Sequence, residues 1–396
     1  MRAMRAVRRI VLGTAAVLSA AGAAEKPQIL TLQDAQARAA AASKMSELAN
    51  LGVRAARFHR LGVQADYFPK INSQFTNLHF NKFMGQQIAL ANRNIGVPLL
   101  DKDLTLVSVQ ATQPVTPIFQ IRQAVRLARA DERIAQAKAD AAAAALKANV
   151  QGAYFALLIA QRQQTAAEAR AKNPVRLAST ASPAESVEKA LATANHRVQE
   201  LTGALRVLIG GSDDEWYELA APAPVEEADG NGPVPALGLE RNPDVVEARE
   251  GVEKAKAALN LAKLNYMPEV VGVGGYMYQN AIPLLPRDFS YVGVVATWNV
   301  FDFGKRERLV AERSTQLRMA QVNLELVRAK VAASSTKASA DLDRSRRMLR
   351  LARRVAAISR SDGSPNATAE QAEAEAEMFQ ADLDFRVAMI QMTAAR

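Results

Sequence analysis

The sequence contains no cysteine, and only 5% of its 396 residues are aromatic. Without cysteine the chain can form no disulfide, no thiolate zinc site and no cysteine nucleophile. So few aromatic residues also argue against the deep core of a conventional globular domain. The hydrophobic content is nevertheless 49%, much of it alanine, and together with Lys, Arg, Glu and Gln this composition is typical of long, closely packed helices.

Motifs that carry chemistry are also scarce. The three histidines, His59, His79 and His196, lie far apart, and no Asp or Glu accompanies them at metal-ligand spacing. The glycines at 272–275 superficially suggest a phosphate loop, but no Gly-Lys-Ser/Thr follows and the segment reads as a strand. We therefore predict that the chain is not an enzyme and has no catalytic residues, no cofactor and no metal site.

The N-terminus accounts for much of the basic charge. The formal net charge is +10, but Arg2, Arg5, Arg8 and Arg9 all precede an apolar run at 10–20 and a small-residue stretch that ends at Ala24. This three-part pattern is typical of a cleavable secretory signal. We expect residues 1–24 to be a signal peptide, and we expect no nucleic-acid partner. No later run of eighteen apolar residues is present, so insertion downstream would have to use strands.

Three short motifs occur twice in the same order, which indicates a duplicated unit. They are Tyr67-Phe68-Pro69-Lys70 with Tyr266-Met267-Pro268-Glu269, Ala111-Thr112-Gln113-Pro114-Val115 with Ala296-Thr297-Trp298-Asn299-Val300, and Ser182-Pro183 with Ser364-Pro365. We divide the mature chain into a first repeat at 25–210, a Pro/Gly-rich linker at 211–241 that crosses without a helix, and a second repeat at 242–396.

Each repeat contains one very long helix. Residues 305–361 include neither glycine nor proline, and at about 1.5 Å per residue they predict a helix roughly 85 Å long. Its apolar residues follow the 3-4 spacing of a coiled-coil-like seam, namely Leu317, Ala320, Leu324, Val327 and Val331. The counterpart in the first repeat is a helix at 118–171, interrupted only by Gly152.

After each long helix the chain reverses. Ser182 as N-cap, Pro183 at the first helical position and Glu185 form a capping box, and Ser364-Pro365 opens the counterpart. The return helices, about 183–208 and 366–395, are only about half as long as the long ones by residue count. We expect a second helix to continue each return path, at about 31–66 in the first repeat and 242–265 in the second.

Four segments read as strands, at about 71–80, 104–113, 270–278 and 289–300. The first two are joined by a longer loop that contains Gly85, Gly96 and Pro98, and the last two by a loop at 280–288. Because even small barrels use about eight strands, four cannot close alone. The helices are too long to cover them, so we expect other subunits to complete the sheet.

The chain resembles the TolC-like outer-membrane efflux proteins. Apart from the duplicated Tyr67 motif, the likeness lies in four segments, Tyr154-Phe155-Ala156-Leu157-Leu158, Leu208-Ile209-Gly210, Arg241-Asn242-Pro243-Asp244, and Tyr291-Val292-Gly293 leading to Val300-Phe301-Asp302-Phe303-Gly304. The resemblance implies a mainly α fold with a small β part, in which a homotrimer completes a β-barrel and a periplasmic helical tube.

It further implies a location in the outer membrane, in contact with its lipid and extending into the periplasm. Such a protein is a passive exit duct of a tripartite efflux or type I secretion system. It moves small molecules or polypeptides that it receives from an inner-membrane pump and a periplasmic adaptor. The alternatives are a periplasmic coiled-coil adaptor, which would have a single helical hairpin, or a structural scaffold without its own pore, which would not need paired strands.

The resemblance also suggests site residues. The candidate periplasmic gate is Asp362 and Glu185, near the two helix reversals. The candidate tip turns contain Ser182, Pro183, Arg360 and Gly363, and the candidate barrel anchors are Tyr291 and Trp298. The first turn differs from the family pattern because 172–182 contains no glycine. An arginine cluster at 344–354 is interpreted as a solvated helix face, with a duct wall or adaptor contact as the other reading.

Overall fold

The computed structural model describes residues 28–82, 84–90, 93–172, 183–211, 217–221, 236–280, 282, 285–361 and 367–394, and the structural findings concern these residues. The predicted signal peptide at 1–24 lies outside them. Seven α-helices lie within the described ranges, namely α1 (Leu32–Ala42), α2 (Lys44–Ala65), α3 (Pro117–Lys172), α4 (Pro183–Ile209), α5 (Pro243–Leu264), α6 (Lys305–Ser361) and α7 (Ala367–Ala394).

The helices form one extended layer. Next to the strands the neighbours run α2, α3, α5, α6, and towards the reversals they run α4, α3, α7, α6. The two long helices α3 and α6 therefore extend through both halves of the layer, while the shorter helices lie end to end beside them. Part of α3 is apolar enough to cross a membrane by length and composition alone, but its contacts with five helices supply partners within the chain.

The N-terminal helix differs from its prediction. The sequence predicts one helix at 31–66, whereas the structure has α1 and α2 separated at Ser43. Ser43 has extended backbone angles, and its hydroxyl accepts a hydrogen bond from the Ser46 N–H at 3.2 Å. Serine competes in this way with the helical backbone, so it ends α1 and caps α2.

Four antiparallel strands form the main sheet, in the order β2 (Lys70–His79), β5 (Asp103–Pro114), β7 (Glu269–Gln279) and β8 (Asp288–Thr297). The two predicted hairpins are joined because β5 pairs with β7. Strand β8 ends at Thr297 and not at residue 300 as predicted. Thr297 pairs with Glu269, the first residue of β7, and the preceding Pro268 has no N–H with which to extend the ladder.

The predicted loop between the first two strands is wrong in part. It contains a further hairpin, β3 (Met84–Leu90) with β4 (Arg93–Leu100). The Gly85, Gly96 and Pro98 that suggested a loop all lie within these strands, and the pairing has an irregularity between Met84 and Gly85. A bulge tolerates such residues, so they did not break the hairpin.

The linker prediction also needs correction. Residues 211–241 contain a strand, β6 (Tyr217–Leu219), and a 3₁₀ turn at Ala236–Arg241. Strand β6 pairs in parallel with β1 (Gln28–Leu30), so the linker folds onto the start of the first repeat. This small sheet and α1 cover one side of α3 and α4 with a second layer.

Tyr154 of α3 holds the small sheet in place. Its hydroxyl lies 2.9 Å from the Leu30 carbonyl oxygen and 2.8 Å from the Ala220 carbonyl oxygen, and its side chain is almost fully buried. It lies in the largest apolar cluster of the described chain, with Leu30, Val150 and Leu205. Burial raises the pKa of Tyr154 to about 12, because the apolar surroundings disfavour the phenolate.

Replacing Tyr154 by Phe should lower the free energy of unfolding by about 1–3 kcal/mol, because a buried carbonyl loses its donor.

The wild-type protein should also lose stability as the pH rises from about 10 to about 12. In that window the unfolded tyrosine releases its proton while the folded one keeps it. Urea unfolding followed by circular dichroism at several pH values measures both effects.

The matched control is Tyr276→Phe, since Tyr276 is exposed in β7. This variant should keep both the neutral-pH stability and the alkaline loss. An equal alkaline loss in wild type and Tyr154→Phe would contradict the assignment.

Candidate functional site

The main sheet has two unlike faces. Strand pairing brings alternate residues of all four strands to one apolar face, which carries Ile71, Phe75, Val107, Val109, Ala111, Val270, Tyr276, Tyr278, Val292, Val294 and Ala296. The opposite face is polar along β2 and β5, with Lys70, Asn72, Gln74, Thr76, Ser108, Gln110 and Thr112. At one end of the apolar face His79 and Asp103 form a pair, with a distance of 2.6 Å between His79 Nδ1 and Asp103 Oδ1.

The apolar face has no cover within the described chain. The exposed fraction is 73% for Ile71, 70% for Phe75, 90% for Val292 and 70% for Val294. A continuous exposed apolar surface of this kind is unfavourable in water. It matches the outward band of a transmembrane β-barrel, in which residues alternate between lipid and lumen.

The sheet also has two open edges. Strand β2 pairs only with β5, and β8 pairs only with β7, so each outer edge presents a row of backbone N–H and C=O groups. Inside a bilayer every such group needs a hydrogen-bond partner. The described strands leave those partners to be supplied by further strands.

The helical layer has open edges in line with those of the sheet. At the β8 edge, α6 exposes a stripe of apolar side chains, Met319, Val322, Leu326, Met348, Leu351, Val355 and Ile358. At the β2 edge, α2 has no buried residue and exposes Met45, Leu48, Leu51, Phe58 and Leu61. The two edges of one chain are therefore apolar along both the sheet and the helices.

The two predicted anchors lie in different settings. Trp298 directly follows β8, has a 58% exposed side chain, and donates from Nε1 to the Tyr266 carbonyl oxygen at 3.3 Å. Tyr291 belongs to the face opposite the apolar one, where strand pairing sets it opposite Gly275. Only Trp298 has the exposure and position that suit an interfacial aromatic residue.

The helix reversals are described only in part. Arg360, near the end of α6, donates from Nε to Glu375 Oε1 of α7 at 3.0 Å and so joins the two helices beside the second turn. Pro183 is the first residue of α4, and Glu185 lies in its first turn. Ser182, Asp362 and Gly363 lie outside the described residues, so the gate and tip turns stay predictions.

A row of ion pairs between α3 and α5 was missed by the sequence analysis. Asp131 pairs with Lys254 at 2.7 Å, and Lys138 pairs with Glu247 at 3.3 Å. Glu250, which is 5% exposed, accepts from Arg133 at 3.3 Å. The duplicated pattern could have suggested that these helices are neighbours, but the pairing depends on their relative rotation, for which the sequence carries no signal.

Across the described ranges no group of three or more His, Asp or Glu side chains could hold a metal ion. These residues instead form a sheet with an exposed apolar face and two open edges, which continue into the exposed apolar stripes of α2 and α6. This combination is typical of a chain that contributes strands to a transmembrane β-barrel.

Comparisons with known proteins agree with this class. The model of the outer membrane efflux protein family matches residues 234–374. A membrane protein from Pseudomonas aeruginosa aligns with a TM-score of 0.72 at 17% identity, over 92% of this chain and 93% of that one. The Campylobacter jejuni CmeC outer membrane channel aligns with a TM-score of 0.67 at 12% identity, over 92% and 85% of the two chains.

The Neisseria gonorrhoeae MtrE outer membrane channel, solved in its open state, aligns with a TM-score of 0.67 at 16% identity, over 92% and 88% of the two chains. At these identities the structural likeness shows the fold. No curated protein matches the chain.

The resemblance to TolC-like outer-membrane efflux proteins and the predicted fold class are therefore confirmed. The family match over residues 234–374 agrees with the predicted location, in the outer membrane with the helices extending into the periplasm. The family consists of channel proteins, which is consistent with the prediction that the chain is not an enzyme.

Gly275 provides a test of the sheet geometry. A Cβ atom at this position would lie 2.8 Å from Tyr291 Oη and 2.8 Å from the Val109 carbonyl oxygen. Gly275→Ala should therefore displace the tyrosine ring or the β5 backbone and destabilise the sheet by about 1–3 kcal/mol. Thermal unfolding in detergent, followed by the β signal in circular dichroism, measures the loss.

Gly293→Ala is the matched control, because no atom lies within 4 Å of the Cβ it would add. Its melting temperature should stay close to that of the wild type. Equal melting temperatures for the two variants would contradict the close packing of Tyr291 on Gly275.

Proposed function

We propose that the protein is a passive outer-membrane exit duct that acts as a homotrimer. The observation that carries this proposal is the four-stranded sheet with an uncovered apolar face and two open edges. Three copies would supply twelve strands, enough to close a barrel with a water-filled interior. The apolar face then contacts outer-membrane lipid, and the polar residues of β2 and β5 line the passage.

The edges favour a ring in which each copy presents its β8 and α6 edge to the β2 and α2 edge of the next. Such a head-to-tail interface closes only if the rotation between copies is correct. The apolar side chains exposed at both edges, including Leu351 of α6 and Phe58 of α2, would become buried between copies. The paired strands and the family match favour this duct over a periplasmic adaptor or a scaffold without a pore.

The second layer identifies the outer side of the helical tube. The small β1–β6 sheet and α1 lie on α3 and α4, and the 3₁₀ turn lies on α5 and α6. On α3, Tyr154 under the small sheet and Arg133 beside Glu250 lie on neighbouring faces, since 21 residues place them about 60° apart around the helix. A clear passage requires this layer to lie outside.

As an exit duct without an enzymatic site, the protein would depend on an inner-membrane pump and a periplasmic adaptor for energy and cargo. Efflux of small molecules in a tripartite system, or of polypeptides in type I secretion, both fit this arrangement. The family resemblance supports such partners.

Cross-linking tests the assembly. Because the chain lacks cysteine, one cysteine can be placed on β2 at Ser73 and one on β8 at Ser290, Val292 or Val294 in turn. These positions share the apolar face but lie at opposite edges of the sheet, about 14 Å apart at roughly 4.8 Å per strand. Oxidation should therefore join different copies and stop at three.

Single-cysteine variants are the controls and should give no trimer band, because each copy then offers only one of the two edges. A protein that stays monomeric with full β content, or a ladder that continues beyond three, would contradict the closed ring.

The gate is proposed at the helix reversals, where three copies of each hairpin would converge. A ring of Asp362 side chains would attract cations and repel closer packing, with Glu185 as a second candidate. Asp362→Arg should lower the cation preference and change the single-channel conductance in planar bilayers without changing trimer yield. Asp343→Arg, on the exposed surface of α6, is the control of equal charge change.

An unchanged conductance together with an altered melting temperature would show that Asp362 only caps a helix. The N-terminal turn of a helix favours acidic side chains in any case. Conductance and stability must therefore be measured on the same preparation.

A further inference from the structure

A cavity of about 430 Å³ lies in the helical layer where α3, α5 and α6 meet. Its volume is within the range of small-molecule sites, about 300–1,000 Å³. The space exists because α5 contributes only Ala248 and Gly251 between the larger side chains of its neighbours. Apart from the backbone of its own helix, a Cβ atom added to Gly251 would meet no atom within 4 Å, so this glycine borders open space.

The cavity is charged at one end and uncharged at the other. Helix α5 leads to the sheet and α6 leads away from it, so the order of their lining residues gives the direction. Asp244 and Lys330 lie at the end away from the sheet, while Gly251 and Ala320 lie at the end near it. The rest of the lining is mainly apolar, with Ile134, Ala248, Val327 and Val331.

The two charges at the far end are available to a ligand. Glu247 also lines the cavity, but Lys138 neutralises it at 3.3 Å. Asp244 and Lys330 are both exposed, and within the described ranges neither charged group forms an ion pair or a hydrogen bond. One carboxylate and one ammonium therefore lie at the same end of the cavity without a partner.

The cavity lies on the face of the layer opposite the second layer. Lys138, which pairs with the cavity residue Glu247, lies 16 residues before Tyr154, about 160° around α3. On α6, Asn323 of the cavity lies five residues before Arg328, about 140° around the helix, and Arg328 pairs with the 3₁₀ turn. If the second layer lies outside the tube, as the proposed function requires, the cavity faces the passage.

The cavity is separate from the edge that would contact the next copy. Its α6 residues Ala320, Asn323 and Val327 follow i, i+3 and i+7 spacing and share one helix face. The exposed apolar residues Val322 and Leu326 of the edge each lie one residue earlier, about 100° around the helix. All lining residues belong to three helices of one copy, so each protomer carries a complete cavity.

We propose that this cavity binds a zwitterionic small molecule, in which an apolar body carries an ammonium and a carboxylate group, as in an aromatic amino acid. The ammonium contacts Asp244, the carboxylate contacts Lys330, and the apolar body lies over Gly251. A ligand with a single charge satisfies only one of the two side chains, so the pair selects a zwitterion over a cation or an anion. The inference rests on the proposed duct only for the position of the ligand in the passage.

Three fluorescent probes with the same apolar body test the charges. Nε-dansyl-lysine carries both groups, dansylcadaverine lacks the carboxylate, and 6-(dansylamino)hexanoate lacks the ammonium. Fluorescence titration of the trimer in lipid nanodiscs, with empty nanodiscs as the blank, should show saturable binding of dansyl-lysine. The other two probes should bind about two- to fivefold more weakly, the order expected when one exposed ion pair is lost.

Two charge variants assign each group of the ligand. In Asp244→Asn, dansyl-lysine should bind no better than the hexanoate probe, because the ammonium has lost its partner. In Lys330→Gln, it should bind no better than dansylcadaverine. A purely structural role of either residue would weaken all three probes by the same factor, and that result would overturn the assignment.

Gly251→Leu tests the cavity itself. The added side chain enters open space, so this variant should lose binding of all three probes and keep its trimer and its melting temperature. The matched control is Gly203→Leu on α4, where an added Cβ also meets nothing within 4 Å and which does not line the cavity. The control should bind dansyl-lysine as the wild type does.

Equal binding of the three probes to the wild type, or undiminished binding to Gly251→Leu, would overturn the proposal. Single-channel conductance tests the direction of the cavity: saturating dansyl-lysine should lower it in the wild type and leave it unchanged in Gly251→Leu. Binding without any change in conductance would overturn the position on the inner wall. A wild-type protein without conductance would contradict the duct, while the titration would still decide whether the cavity binds zwitterions.

Discussion

The unpaired backbone of the two outer strands governs the rest of the structure. A strand edge in a bilayer cannot be satisfied by water, so β2 and β8 need partners that the described chain does not supply to them. The same edges continue into α2 and α6, whose exposed apolar residues also lack cover. Burial by a neighbouring copy, as in the proposed trimer, would satisfy the sheet and the helical layer together.

The helical layer also shows how a chain with few aromatic residues can be held together. Many buried positions of α3 and α6 are small, as at Ala128, Ala137, Ala338 and Ala356, which lets neighbouring helices approach closely. Large side chains are concentrated where the second layer covers α3, around Tyr154 and Leu157. Stability therefore comes from extended helix contacts, with one compact cluster that ties the linker to the start of the first repeat.

Much of this architecture could be predicted because it depends on long, regular patterns. The absence of glycine and proline in 305–361 predicts α6 as one helix, and the structure has it at the same residues. The capping signal of Asn242 and Pro243 likewise predicts the start of α5, where the Asn242 side chain accepts from the Asp244 N–H at 3.0 Å. Such signals are local, and nothing in the tertiary structure overrides them.

The missed features run against local propensity or depend on contacts between distant residues. The break at Ser43 and the β3–β4 hairpin run against local propensity, because a helical run continues past the first and glycines interrupt the second. The pairing of β1 with β6 joins segments that share no periodic signal. The pairing of Arg353 with Asp382 and of Arg360 with Glu375 depends on where α7 lies, so the sequence suggested a solvated face, with a duct wall or adaptor contact as the other reading.

The parallel pairing of β1 with β6 has a consequence for the order of assembly. The paired residues Gln28 and Tyr217 are 189 positions apart in the sequence, and the chain must fold α3 and α4 before the two strands can meet. Contacts so distant in sequence form late in folding, because closing the loop costs entropy before the contact returns any stability. Strand β1, the first strand of the described chain, would therefore be among the last elements to dock, and its arrival over Tyr154 would mark the completion of a protomer.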